Sequence, residues 1–121
     1  MNMDVDRMIR EWGEWEVLHS LGTTKVKKIT VNPRSELSFQ RHFHRGELWY
    51  VHQGHGIVLT NPSEDASHEF TEEKKLDPGN YIVIPIKTWH QLINIGKEPL
   101  IIIEIQCGEK CIEDDIERKE L

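Results

Sequence analysis

Short apolar, β-branched stretches recur along this chain, and turn-forming residues interrupt each before it reaches helical length. They run Lys25 to Val31, Leu37 to His44, Leu48 to His52, Gly56 to Thr60, Tyr81 to Ile84, His90 to Ile93 and Leu100 to Gln106. Between them stand Asn32-Pro33, Arg45-Gly46, Gln53-Gly54-His55-Gly56, Asp77-Pro78-Gly79-Asn80 and Gly96-Lys97-Glu98-Pro99. These residues supply or preset the backbone angles of tight turns. Strands spaced about 8–12 residues apart are the pattern of an all-β sandwich, jelly roll or barrel. With 121 residues the chain is expected to form one domain and to bury a core without disulfide staples. We expect the barrel over 25–106, an N-terminal segment over 1–24 and a C-terminal tail over 107–121.

Composition narrows the function. Twenty-one acidic residues outnumber 15 basic ones, for a net charge of −6, so nucleic acid is not an expected partner. A small anionic ligand needs only one or two local basic groups and stays open. No run approaches the roughly 20 apolar residues of a membrane span. The start, Met1 to Asp6, lacks the apolar core of a secretory signal, so a cytoplasmic protein is expected. Cys107 and Cys111 are too few for a disulfide scaffold and are expected as free thiols. Asn61 to Lys75 reads as a polar, solvent-facing loop with an edge strand around Glu69 to Thr71. The charged tail from Glu113 to Leu121 reads as one helical turn, its Glu113-Asp114-Asp115 run a solvated face.

The chemistry gathers on two segments. Side chains alternate across a strand, so over Leu37 to His44 the residues Gln40, His42 and His44 share one face. Leu37, Phe39, Arg41 and Phe43 share the other. Taken alone, the Leu/Phe face would be core and the histidine face solvent. Glu47, after the Arg45-Gly46 turn, and His90, between Pro85 and Asn94, argue against that. Two imidazoles, a carboxylate and an amide oxygen can close around one divalent first-row metal. The apolar face must then be covered from outside, by a second copy or by the N-terminal segment.

Gln40-x-His42-x(4)-Glu47-x(6)-Gly54 resembles the first cupin motif, with Gln for its first His. Gly79-x(5)-Pro85-x-Lys87-x(2)-His90-x(3)-Asn94 resembles the second. The chain is most similar to the C-terminal cupin domain of type II phosphomannose isomerases. Trp12-Gly13, Gln40-Arg41-His42-x-His44-Arg45-x-Glu47-x-Trp49, Ile84-Pro85, Trp89-His90 and Asn94-x-Gly96-x-x-Pro99-Leu100 carry that likeness. So do Ile103-Glu104-x-Gln106-x-Gly108 and Glu113-Asp114-Asp115-Ile116-x-Arg118. The likeness extends from about Arg10 to Arg118.

The resemblance implies a double-stranded β-helix, a jelly-roll barrel with one divalent metal in its lumen. The implied ligands are Gln40, His42, Glu47 and His90; the expected ion is zinc, with manganese, nickel, cobalt or iron as alternatives. It also implies a sugar-phosphate ligand, interconversion of mannose 6-phosphate and fructose 6-phosphate, and a homodimer. The family's activity-associated arginine carries over onto Arg118. His44 is the candidate base, Arg118 and Lys87 the candidate phosphate ligands, and Trp49, which shares parity with Glu47, a candidate sugar platform. A lumen histidine, surface ion pairs and plain core packing are the ordinary readings of these residues. The guanylyltransferase part that usually precedes this domain has no counterpart in these 121 residues, so nucleotide transfer is not expected. A non-catalytic metallo-cupin that binds a sugar or sugar nucleotide is the alternative function. Arg34 and Lys87 replace usual glycines; if those turns need positive φ, each costs about 1–2 kcal/mol.

Overall fold

The structure, a computed structural model, describes residues 6–62 and 72–119. Its strands are β1 (Arg7–Arg10), β2 (Gly13–Leu21), β3 (Thr24–Val31), β4 (Phe39–Arg41), β5 (Arg45–Gln53) and β6 (Gly56–Asn61). Then follow β7 (Glu72–Leu76), β8 (Tyr81–Ile84), β9 (Trp89–Asn94), β10 (Leu100–Gly108) and β11 (Glu117–Lys119). They form a six-stranded sheet, β1-β2-β3-β10-β5-β8, and a five-stranded sheet, β11-β4-β9-β6-β7. This is the expected all-β jelly-roll architecture. Among the described residues no helix is long and apolar enough to cross a membrane.

Period-2 alternation sets the inner face of the larger sheet. On β10, Leu100, Ile102, Glu104 and Gln106 are buried while Ile101, Ile103 and Ile105 are less so. Register carries each buried residue into a row across three strands. Ile102 pairs with Ile29 and Val51, Glu104 with Lys27 and Trp49, Gln106 with Lys25 and Glu47. The inner face therefore passes from wholly apolar at the Leu100 end to charged at the Gln106 end. The apolar rows meet Val58, Leu76 and Leu92 of the facing sheet in the main core. Gly54 turns the chain at this dry end with φ 92°, where a Cβ would come within 2.7 Å of the Pro99 carbonyl oxygen.

Both chain ends join the sheets. The stretch before Lys25, left without an element by the sequence reading, supplies β1 and β2, with Trp15 buried against the core. The tail forms β11 rather than a helical turn, because Glu117, Arg118 and Lys119 pair with Arg41, Gln40 and Phe39. An edge strand lies at Glu72–Leu76; the expectation at Glu69 to Thr71 lies outside the described residues.

The face of Leu37, Phe39, Arg41 and Phe43 is covered by the chain itself. Leu37 belongs to the main core, and Phe39 stacks on Trp89 at 5.6 Å between ring centroids. Arg41 lies over the Phe43 and Trp89 rings and bonds Glu117 at 3.0 Å. The apolar surface left outside is elsewhere: Tyr50 faces Ile103 and Tyr81 in register, and Leu48 faces Ile105 and Val83. Tyr50, Tyr81 and Val83 are exposed.

Arg34 and Lys87 have φ of 60° and 63°, so both turns do require the left-handed conformation. Glycine there relieves about 1–2 kcal/mol of strain and costs about 0.5–1 kcal/mol of unfolded-chain entropy. Arg34→Gly and Lys87→Gly are each expected to stabilise the protein by up to about 1 kcal/mol in urea denaturation. Glycine at an ordinary exposed strand position would destabilise it.

Candidate functional site

The ladder of β4 stops at Arg41, and the reason lies in the tail. The Asp115 carboxylate accepts the backbone N–H groups of Phe43 and His44, both at 2.9 Å. The Lys87 N–H donates to the His42 carbonyl at 2.7 Å. With its donors and acceptor taken by these partners, the chain leaves strand geometry after His42. His42 is buried in the lumen, while His44 swings outward, its Nδ1 3.5 Å from Glu109.

At the charged end of the barrel Glu47 is almost fully buried. Its Oε1 accepts the Trp49 indole N–H at 2.9 Å, and its Oε2 accepts Arg45 Nε–H at 3.0 Å. The Nε2 atoms of His42 and His90 lie 3.3 and 3.8 Å from the same carboxylate. Each histidine spends its other nitrogen on a backbone carbonyl: His42 Nδ1 on Asp115 at 2.6 Å, His90 Nδ1 on Thr88 at 2.9 Å. If each Nδ1 donates there, both Nε2 lone pairs are left free of a proton, that of His42 with Arg45 Nη2–H 3.3 Å away. A backbone-anchored Nδ1 with a bare Nε2 is the arrangement metal-binding histidines use. Donor atoms of His42, Glu47 and His90 lie within 4.8 Å of one another, so the set fits one divalent ion.

The electrostatics agree. Burial, with help from the Arg45 and His90 charges, pushes His42 down to about 4, so the ring is neutral at pH 7. Burial likewise lowers His90. Burial alone would raise Glu47, but His90 and His42 in their protonated forms, and the Arg45 guanidinium and Trp49 N–H at any pH, outweigh it and hold it well below the usual carboxylate range. Neutral imidazoles and an ionised carboxylate are the forms that bind metal.

Around this centre opens a cavity of about 460 Å³, a volume suited to a small molecule. One wall is a row across β9, β4 and β11, in which His90 pairs with Gln40 and Gln40 with Arg118. The other wall is the Lys27–Glu104–Trp49 row. Lys27, buried, bonds Glu113 at 2.5 Å and lies 3.9 Å over the Trp15 ring. Glu104 takes a hydrogen bond from Gln106 at 2.5 Å, and burial pushes its carboxyl up to about 8.

Gln40, His42, Glu47, Trp49, His90 and Arg118 thus line one cavity. His44 and Lys87 do not. His44 left the lumen face when the ladder broke, and exposed Lys87 contributes its backbone N–H instead. Trp49 is 2% exposed and grips Glu47, leaving its ring no open face for a sugar. The acidic run is not a solvated face: Asp115 is buried and Glu113 reaches Lys27. Sequence reasoning missed Lys27, Arg45 and Glu104 as lining residues. Parity was the available signal for two of them, since Lys27 alternates with Ile29 and Val31, and Glu104 with Leu100 and Ile102.

Comparison with known proteins adds ancestry. The family described as mannose-6-phosphate isomerase C-terminal matches residues 2–121. The alginate biosynthesis protein AlgA of Pseudomonas aeruginosa is 41% identical over 111 residues, 92% of this chain and 21% of its own length. The mannose-1-phosphate guanylyltransferase ManC of Salmonella typhimurium is 38% identical over the same share of each. The chain therefore spans about a fifth of the length of these curated relatives. Two solved structures share the fold: CapF, with a TM-score of 0.79 and 16% identity over 95% of this chain and 34% of its own, and Bacillus subtilis oxalate decarboxylase, with 0.78 and 20% over 94% and 30%.

Glu104 gives the metal-free protein a testable pH signature. Its folded carboxyl keeps a proton up to about pH 8, whereas at its ordinary value of 4.5 the unfolded chain has already released it. Its contribution to stability therefore falls as pH rises between 4.5 and 8. Glu104→Gln keeps the shape without the ionisation. Its melting temperature is expected to exceed that of wild type increasingly across this window, by more than about 3 °C at the upper end, as roughly 1 kcal/mol gives at this size. Parallel melting curves in scanning calorimetry would refute this.

Proposed function

Because the chain belongs to the mannose-6-phosphate isomerase C-terminal family, we propose that it is a metal-dependent aldose–ketose isomerase acting on a sugar phosphate, mannose 6-phosphate and fructose 6-phosphate being its pair. The observation that carries this reading is the His90–Gln40–Arg118 row. Neighbouring strands are about 4.8 Å apart, so the row spans about 10 Å, the scale of an open-chain hexose phosphate.

In this reading Arg118, whose planar fork suits phosphate, holds the charged end of the substrate at the mouth. His42, Glu47 and His90, with the Gln40 amide, hold one divalent ion, zinc by preference for two imidazoles and a carboxylate. That ion would act as a Lewis acid on the C1 and C2 oxygens of the sugar. Arg45 and Trp49 fix the Glu47 carboxylate so that its oxygens need not reorganise. Trp12 and Trp15, at the cavity wall, exclude water from the reacting carbons.

The same reading includes a homodimer in the cytoplasm. Copies that each carry −6 meet best through uncharged surface, and a two-fold contact must complement itself. The Tyr50, Tyr81, Val83 and Leu48 face meets both conditions.

Zinc-loaded protein is expected to convert mannose 6-phosphate to fructose 6-phosphate in a coupled assay, and Gln40→Ala/His42→Ala is expected to lose both zinc and turnover. Arg118→Ala is expected to raise KM roughly 10–100-fold, as loss of a charged hydrogen bond does. Turnover by wild type no higher than by the double variant would sink the isomerase reading. Sugar-dependent thermal stabilisation without turnover would point to a binding protein instead. For the dimer, Val83→Asp is expected to halve the mass in light scattering, and a monomeric wild type would dispose of it.

A further inference from the structure

Isomerisation needs a group that takes a proton from one carbon and returns it to the next, and the candidate read from sequence, His44, lies outside the cavity. Of the carboxyl and imidazole groups that line it, Glu11 stands exposed on the turn between β1 and β2, and all the others but one are committed. Glu47 is held by Arg45 and Trp49, and each histidine of the centre has one nitrogen on a backbone carbonyl and the other toward Glu47. Glu113, half-exposed, pairs with Lys27.

Glu104 differs from all of these. It is 4% exposed, yet among the described residues it forms no ion pair, although the Lys27 backbone is its register partner on β3. Gln106 Nε2 holds its Oε1 at 2.5 Å, and no partner holds Oε2 among the described residues. A buried carboxyl without an ion pair is costly to a fold, and such groups cluster where proton transfer is needed. The groups that face it are Lys27 on β3, Arg45 and Glu47 on β5, and Gln106 on its own strand. Burial and Glu47 favour its protonated form, while Lys27, Arg45 and Gln106 favour the carboxylate.

We propose that Glu104 is the catalytic carboxyl that carries the substrate proton between C1 and C2, with Lys27 as a positioning residue beside it. This rests on the isomerase reading above and deepens it. From the aldose side, the Glu104 carboxylate takes the C2 proton. The C2–H electron pair becomes the C1=C2 double bond, and the carbonyl pair moves onto O1. The O2 hydroxyl proton passes to O1 across the cis-enediolate. The O2 lone pair then re-forms a carbonyl at C2, and the double-bond pair takes the proton from Glu104 at C1. One ketose leaves and the carboxylate is restored. Gln106 holds the carboxyl in place throughout, and Lys27, itself anchored by Glu113 and Trp15, keeps the ionised form accessible.

The experiment follows hydrogen exchange rather than turnover alone. The zinc-loaded protein is incubated with mannose 6-phosphate in D2O, and deuterium at C1 and C2 is read by NMR. Glu104→Gln is expected to lower exchange about 10²–10⁴-fold, the usual contribution of a positioned acid–base group. Its zinc content, and its affinity for a hexitol 6-phosphate that cannot isomerise, should stay within about threefold of wild type on the same scale of comparison. Glu104→Asp, which keeps a carboxyl, should retain measurable exchange with a shifted pH profile. Exchange by Glu104→Gln at the wild-type rate, or loss of its zinc, overturns the assignment while leaving the isomerase reading intact. Absence of exchange in wild type removes both. Should Glu104→Gln fail to fold, Glu104→Asp decides: slower exchange at unchanged zinc supports the assignment, and a wild-type rate and profile overturn it.

Discussion

A single carboxylate, Glu47, is kept charged inside the barrel, and the surrounding structure is organised by that requirement. Moving such an ion out of water costs several kcal/mol even after relaxation, unless its oxygens are matched. Here both oxygens are, by Arg45 and by the Trp49 indole. Each partner creates a further requirement. Arg45 must itself be held, and Nη1 finds the Ile112 carbonyl at 3.0 Å. The histidines that face Glu47 must be oriented, and the carbonyls of Asp115 and Thr88 do that. The tail is thus tied to a motif some seventy residues earlier because the carboxylate's neighbours need its backbone.

The barrel can carry this polar end because its other end is dry. Rows built on Leu100 and Ile102 pack against Val58, Leu76 and Leu92, and each fully buried aliphatic side chain contributes about 1.5–3 kcal/mol. Two residues farther along the same strands the inner face turns to Lys27, Glu104 and Trp49, and two beyond that to Gln106 and Glu47. One sheet therefore holds both the core and the site, and the rigidity of the first positions the second.

Much of this was legible in sequence. The strands from Lys25 onward, the turn residues between them, the cysteines left free and the partners Gln40, His42, Glu47 and His90 all follow from local chemistry. The backbone at Arg34 and Lys87 was left open by the sequence, where only the family resemblance puts glycine, and the structure shows both in the left-handed conformation. Other features depended on partners distant in sequence. His44 reads as a lumen residue by alternation, and only Asp115, seventy-one residues away, breaks that alternation. Phe39 reads as an interface residue until Trp89 and β11 cover it. The N-terminal stretch has too few apolar residues to announce two strands, and it pairs because β3 offers an open edge.

By itself the sequence determined the alternation of side chains, the places where the chain must turn, and which residue types were available to bind a metal, because these depend on neighbours a few positions apart. Tertiary structure alone decided which alternating residues face inward to the cavity. It admitted Lys27 and Glu104 and excluded His44 and Lys87, since inside and outside are defined only once two sheets have closed around a common space.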